Sequence, residues 1–309
     1  MKGEAQSLEI LLAQIQRDGE APIGAWPSGE LEPEDIGLTI TAGRLSWQDA
    51  PDVLDAQALT DLLPELQVEV RQIVSSTNTL LVEAAHDLDR RLILAEFQSG
   101  GRGRRGRRWL SPYARNLAMS LGLRTSRSLS ELGGLSSVVG LAIASELERL
   151  RVKNVALKWP NDVLVGDEKI CGILVELVQD AEGVGVVVGC GVNVSLQDHE
   201  RVLIDQPVTD LRAHGVTHSR TELAGALAGA LWRFLQHFEA QGFGPFQASF
   251  DAVHKFHHQQ CTVLQGEHKI SGTVVGLGPH GELMMRTDSG LQSFHGGEVS
   301  LRPSLDVAP

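Results

Sequence analysis

Two short stretches hold residue types that could do chemistry. Gly101 to Trp109, GRGRRGRRW, places five arginines, three glycines and a tryptophan in nine residues. Glycines let backbone N–H groups approach an anion, and guanidinium groups supply fixed, two-pronged charge-assisted hydrogen bonds, so a bound phosphate is one reading. A solvated surface segment and a nucleic-acid contact are the others, and the stretch alone does not separate the three. GRGRRG also matches the glycine spacing of a dinucleotide-binding turn. That site needs a helix directly afterwards and an acid about twenty residues on, whereas Pro112 and a strand-like NLAMSLGL follow here. No G-x-x-x-x-G-K-[ST] run occurs, which excludes a Walker loop.

The second stretch, KWPNDVLV (158–165), turns at Pro160 and Asn161. It leaves Lys158 on a strand end and Asp162 by the turn, so that a cation and a carboxylate face one place. Taken singly it is equally a structural turn with a surface ion pair. Lys169, in KICGIL, sits on an otherwise apolar strand, where an ammonium must pair, reach water or meet a ligand. GCGVNV (189–194) ends an apolar strand with two glycines and Asn193, which suits close approach of a ligand to backbone.

The charge balance restricts the anion. Lys and Arg number 27 against 39 Asp and Glu, a formal charge of −12 over 309 residues. That argues against the broad basic surface duplex nucleic acid requires, and makes any anion site local. Cys171, Cys190 and Cys261 form no C-x-x-C pair, so they suggest neither a disulfide framework nor a zinc site and read as small buried thiols of a cytoplasmic protein. No apolar run reaches the ~18 residues of a membrane span, and the N-terminus lacks a signal-peptide pattern.

Several elements must position these residues. In the first 64, Leu8, Leu11, Leu12 and Ile15 have helical spacing, a Pro- and Gly-broken stretch follows, and LTITAGRLSW reads as a short hairpin or wing. DAQALTDLLPEL is a short helix leading into the main body. There VEVRQIV reads as a strand, and the Ser and Thr after it cap a helix bearing Leu80, Leu81, Ala84 and Ala85. RLILAEF is a buried strand, NLAMSLGL a half-buried alternating one, and Leu135, Val138, Val139 and Ala142 mark a longer helix. VALKW, VLV, KICGILVEL and GVGVVVGCGVNV add four strands of one mixed sheet. The helix from Ser219 carries a Ser219/Glu222 capping box and stops at Gly242, and PFQASFDAVHKF is a further helix. Beyond a boundary near Gln259, short apolar runs separated by turn pairs have the spacing of a small barrel.

SSTN (75–78), EFQSGGRGRRGRRW (96–109), KWPNDVLV, KICGILVEL (169–177) and GCGVNV occur in the order and spacing of the biotin protein ligases, and GGEVSLR (296–302) resembles that family's C-terminal domain. The resemblance spans residues 65 to 302. It implies an α+β chain: a class II synthetase-like biotin/lipoate ligase catalytic domain at 65–258, built on a central mixed sheet with flanking helices, then an SH3-like β-barrel at 259–309. Residues 1–64 would be a reduced winged-helix remnant. It also implies two steps, in which biotin and ATP give biotinyl-5′-adenylate and pyrophosphate, and a lysine of a biotin carboxyl carrier protein then takes the biotinyl group.

Carried across by motif, Ser76, Thr77 and Asn78 bind the ureido head of biotin. Gln98, Gly101, Arg102, Gly103 and Arg104 contact biotin and adenylate, with Arg102 and Arg104 nearest the anions. Trp109 packs on adenine, and Arg105, Arg107, Lys158 and Asn193 join the ATP contacts. Lys169 meets the carboxylate or adenylate ester, Gly172 and Gly189 offer close contact to the ligand, and Asp162 orients the acceptor ammonium. Lys169, Arg104, Lys158 and Asp162 form the catalytic set. Magnesium is implied with ATP, bound through phosphate oxygens and water, with no protein ligands legible. A homodimer is a further expectation from the family. The rival readings are a lipoate ligase-like acyltransferase and a DNA-binding, biotin-responsive repressor. The acidic PSGELEPEDIG stands where a basic recognition element belongs, so DNA is not an expected partner.

Overall fold

The computed structural model describes residues 2–27, 31–47, 49–181, 183–296 and 299–303, so parts of PSGELEPEDIG and of GGEVSLR lie outside the described residues. Helix α1 (Lys2–Asp18) buries the expected Leu8, Leu11, Leu12 and Ile15. They pack on a three-stranded antiparallel sheet of β1 (Glu20–Pro22), β2 (Leu38–Thr41) and β3 (Arg44–Trp47). Between β1 and β2 the described residues contain two single-turn 3-10 helices and no α-helix. This small core also takes in Tyr113 and Ala114, with Phe97 packed against it, and Trp47 stacks on Tyr113 at 4.9 Å. The N-terminal unit therefore rests on both flanks of the arginine stretch.

Helix α2 (Ala56–Leu62), capped by the Asp55 carboxylate, leads into the central sheet. Its elements in chain order are β4 (Gln67–Val74), α3 (Thr77–Glu83), β5 (Arg91–Gln98), β6 (Asn116–Thr125), α4 (Leu135–Arg149), β7 (Val155–Lys158), β8 (Asp162–Val165), β9 (Glu168–Asp180) and β10 (Gly183–Asn193). The spatial order is β4-β5-β6-β10-β9-β8-β7, parallel at β4/β5 and antiparallel elsewhere, which makes the sheet mixed. After a short α5 (Asp198–Arg201) comes α6 (Arg220–Gln241), whose Ser219/Glu222 capping box and Gly242 stop both form as expected. Helix α7 (Gln247–Val253) completes the body.

Period-two alternation explains how the sheet is sandwiched. On β10 the even positions Val186, Val188, Cys190 and Val192 enter the main core with α4 and α6, while Val187 joins Leu81 of α3 and Ile93 of β5 on the other face. The remaining odd positions before Asn193 are Gly183, Gly185, Gly189 and Gly191. With α3 on the second face, β6 is buried on both sides from Asn116 to Leu123, rather than half-buried as its alternation predicts. An internal ion pair, Glu96 with Arg220, ties β5 to α6; Arg220 also donates to the Asn116 and Asp52 carbonyls. Truncating either partner would leave a buried charge, at a cost of about 3–5 kcal/mol.

The last sheet has five antiparallel strands, β11 (Gln260–Gln265), β12 (His268–Leu277), β13 (Leu283–Thr287), β14 (Gly290–Phe294) and β15 (Val299–Pro303), in the order β14-β13-β12-β11-β15. It docks on the turn after β7. The indole N–H of buried Trp159 donates to the Gly281 carbonyl at 3.2 Å, and Gly296 lies against Pro160.

Candidate active site

The glycine face of β10 is the floor of the site. Asn193, Gly191 and Gly189 pair with Asn116, Ala118 and Ser120 on β6, and Gly191 and Gly189 with Gly172 and Leu174 on β9. Above this floor lies a cavity of about 460 Å³. Of the residues expected from sequence, Ser76, Thr77, Asn78, Gln98, Arg102, Gly103, Arg104, Arg105, Arg107, Trp109, Lys158, Asp162, Lys169, Gly172, Gly189 and Asn193 all line it. Gly101 does not. Its carbonyl accepts the Trp109 N–H at 2.8 Å, and a Cβ there would sit 2.6 Å from the Trp109 carbonyl oxygen, so it closes the base of the arginine loop.

That loop is a small hairpin. Arg102 pairs with Arg108, and the Gly103 N–H reaches the Arg107 carbonyl at 2.7 Å. At the tip, Arg105 (φ 59°) and Gly106 (φ 69°) both adopt left-handed backbone, a tight reversal that glycine permits readily and arginine only under constraint. Trp109 then lies flat on the floor, since a Cβ at Gly191 would enter its ring and one at Gly172 would come within 2.9 Å of it. Its indole N–H is buried and unpartnered.

One end of the cavity is neutral and self-satisfied. Ser76 is the N-cap of α3, but its hydroxyl makes no capping bond; Gln98 Oε1 accepts the Thr77 N–H at 2.8 Å and its hydroxyl at 3.1 Å. The cap thus comes from the strand end across the cleft rather than from the local Ser and Thr. Ser120 Oγ bridges Thr77 Oγ1 and Asn78 Oδ1. Asn78 stands where a Cβ at Gly189 would overlap it, so Gly189 serves to admit this amide.

The other end concentrates cations. Lys158 ends β7, and burial, followed by the nearby Arg302 charge, pulls its pKa below the usual lysine value. Arg104 is likewise lowered, first by burial and then by Arg105. Arg104 donates to Asn161 Oδ1 at 3.1 Å and to the Gly296 carbonyl, which links the loop to the C-terminal sheet. Asp162 pairs across the turn with Lys158 in backbone register, yet its ion pair is with Lys169, at 2.7 Å. The Lys169 ammonium also lies 5.6 Å from the Trp109 ring centroid. Arg102, expected beside the anions with Arg104, instead reaches the neutral end and binds Glu176 at 2.9 Å.

Asn193 is a fastener as well as a lining residue. Its amide donates to the Thr209 carbonyl at 3.1 Å and to that of Lys169 at 3.5 Å, while Asn116 donates to its Oδ1 at 3.3 Å. This holds the 207–209 segment along Lys169 and brings Leu203 to Gln206 to the cavity. Cys171 and Cys190, next to the floor glycines, point into the core, where burial pushes the Cys190 thiol up to about 12 and Cys171 up as well. Inert packing is what such shifts predict. Among the described residues, no group of three or more His, Cys, Asp or Glu side chains is gathered as a metal site.

Sequence reasoning missed Ser120, Asn161, Glu176, Arg302 and the 203–206 segment. Asn161 and Glu176 stood inside quoted motifs without a role of their own in the site, and Ser120 left a trace as a polar residue within an apolar strand.

Residues 70–193 match the model of the biotin/lipoate A/B protein ligase family, and residues 257–302 that of the biotin protein ligase C terminal domain. The chain is 32% identical over 267 residues to the bifunctional ligase/repressor BirA of Salmonella typhimurium, covering 86% of this chain and 83% of that one. It is 31% identical over 213 residues to the biotin–[acetyl-CoA-carboxylase] ligase of Paracoccus denitrificans, covering 67% and 88%. The biotin protein ligase of Aquifex aeolicus, solved in complex with biotin and ATP, matches at a TM-score of 0.67 and 29% identity, over 77% of this chain and 99% of that one. The chain belongs to the biotin/lipoate A/B protein ligase family, with the C-terminal domain of its biotin protein ligases.

Proposed function

We propose that the chain activates biotin with ATP and passes the biotinyl group to a lysine of a biotin carboxyl carrier protein. The observation that carries this reading is a single cavity with two unlike ends. The floor joins the two ends in strand register, from Gly189 under Asn78 and its neighbour Gly191 through Gly172 to Asp162 and Lys158. Lys169 lies between them, next to Gly172. A neutral polar head fits the Ser76–Asn78 end, a triphosphate the Lys158–Arg104 end, and a carboxylate the Lys169 position.

In the first step a biotin carboxylate oxygen attacks the α-phosphorus of ATP, the bond to the bridging oxygen breaks, and pyrophosphate leaves. Lys169 neutralises the carboxylate, so two anions can meet, while Lys158, Arg104, Arg105 and Arg107 hold charge that is displaced onto the leaving group. Trp109 offers a ring face to adenine, and its indole N–H a donor. Magnesium would travel on phosphate oxygens and water, its usual preference beside ATP. In the second step a neutral acceptor amine attacks the acyl carbon and AMP leaves. Asp162, released as Lys169 turns to the ligand, takes the acceptor ammonium and its proton.

For the N-terminal unit, which has one α-helix before its sheet among the described residues, the reading taken is catalysis without DNA binding. A low-salt gel shift that needs biotinyl-adenylate would reverse that view. Homodimerisation would use the β4 edge of the central sheet, since His254 bridges to Leu157 on β7; sedimentation with and without ligands decides it. The reaction itself is tested by biotin-dependent exchange of labelled pyrophosphate into ATP. Exchange with biotin and none with lipoate is expected; exchange with lipoate alone would make the protein a lipoate ligase.

A further inference from the structure

Glu176 lies within the KICGILVEL stretch without a role in the sequence reading, yet it joins two parts of the site. It follows Leu174 on the floor side of β9, opposite Val187, and is about three-quarters buried. Its Oε2 accepts from Asn78 Nδ2 at 2.7 Å. Its Oε1 accepts from Arg102 Nη2 at 2.9 Å, with a longer contact of 3.3 Å to Oε2. One carboxylate thus spans from α3, a wall of the neutral end, to the entry arm of the arginine loop above it.

Each contact has a distinct consequence. An ionised carboxylate only accepts hydrogen bonds, so it decides which way the Asn78 amide faces. The NH2 group turns to Glu176 and to the Leu174 carbonyl at 3.3 Å, and Oδ1 turns to Ser120. A flipped amide would set oxygen against carboxylate. The second contact concerns the loop. Arg104 anchors the tip to Asn161 and to the C-terminal sheet, and Arg102 anchors the first arm to β9.

We propose that Glu176 is a positioning residue with two tasks: it orients Asn78 toward the head of the bound acid and it latches the arginine loop over that end. It would then govern how long biotin and its adenylate stay, without touching either. This rests on placing the biotin head at the Asn78 end. Arg102 and Glu176 are 41% and 28% exposed, and ion pairs of that kind are weak. A weak latch suits a loop that must open in every turnover.

The experiment compares single variants and a cycle by stopped-flow biotin dissociation and by pyrophosphate exchange. Glu176→Gln keeps an acceptor for Asn78 but not the ionic hold, so biotin should leave about 2–5-fold faster, the range of exposed ion pairs. Arg102→Ala should do the same, and the double variant should add nothing further. Glu176→Ala also frees Asn78 and should raise the KM for biotin about tenfold, the cost of one lost buried hydrogen bond, with the KM for ATP unchanged. The gap between parent and Glu176→Gln should narrow at high salt. Multiplying effects of Glu176→Gln and Arg102→Ala, or equal rises in both KM values, would overturn the proposal. Asn78→Ala separates the two levels. If it leaves biotin binding intact, the placement of the head is wrong; if it weakens binding while both Glu176 variants match the parent, Glu176 alone has been misread.

Discussion

At the Asn78 end of the cavity, polar side chains satisfy one another in advance: Gln98 caps α3, Ser120 bridges Thr77 and Asn78, and Glu176, its charge met by Arg102, fixes the amide. At the Lys158 end, cations are drawn together until burial and mutual repulsion lower the pKa of Lys158 and Arg104. The first arrangement is pre-organised for one shape and loses little on binding. The second is uncomfortable while empty and is relieved by a polyanion. On the proposed reading, an acid that fits and a nucleotide that neutralises are selected by separate physics within one cleft, and they meet at Lys169, which is paired with Asp162.

If that division is right, its junction is the most sensitive point. Lys169→Ala should lower biotin-dependent pyrophosphate exchange by about 10²–10³, the cost of a lost charge-stabilising group in a closed site. An unchanged rate would place the carboxylate elsewhere. A matched pair on the floor comes next. Gly191→Ala would drive a Cβ into the Trp109 ring and should raise the KM for ATP, whereas Gly189→Ala would strike Asn78 and should weaken biotin binding. Each should cost about 1–3 kcal/mol of overpacking, about 5- to 150-fold. Calorimetry with each ligand checks the assignment, and reversed preferences would swap the two ends. Ser120→Ala, removing a single hydroxyl from the neutral end, should weaken biotin by about fivefold, near 1 kcal/mol, and leave ATP unaffected.

The smallest effect is in pH. Because the pKa of Lys158 lies below the ordinary 10.5, its charge is lost earlier on the alkaline side. The KM for ATP should therefore climb before pH 10.5 while biotin affinity stays flat, and Lys158→Arg should push that climb to higher pH. A parallel alkaline rise for both ligands would erase the contrast between the ends.

The cationic end was largely legible in the sequence, because its chemistry sits in contiguous motifs: GRGRRGRRW, KWPND and the isolated Lys169. The two glycines of GCGVNV likewise marked a place where a ligand could approach backbone. The neutral end was half hidden. Ser120 and Glu176 act through the register of β6, β10 and β9, which brings together residues far apart in the chain, and no local pattern encodes it. Arg302 and the Gly296 carbonyl were hidden for a similar reason, since they reach the cavity only because the last sheet docks on Trp159 and Pro160. The Glu176 partner of Arg102 was hidden for a related reason. In a hairpin, neighbouring arginines need not share a destination, and sequence proximity to Arg104 concealed a partner on β9.

The bare floor also sets a direction for change. Gly172, Gly189 and Gly191 have no side chain left to remove, so substitution at these three positions can only make the cleft shallower. On the proposed reading, mutational drift or engineering at Gly189 can narrow the range of acids accepted but not widen it. A broader acid range would have to come from α3, from Gln98 or from the arginine loop, the parts that stand over the floor.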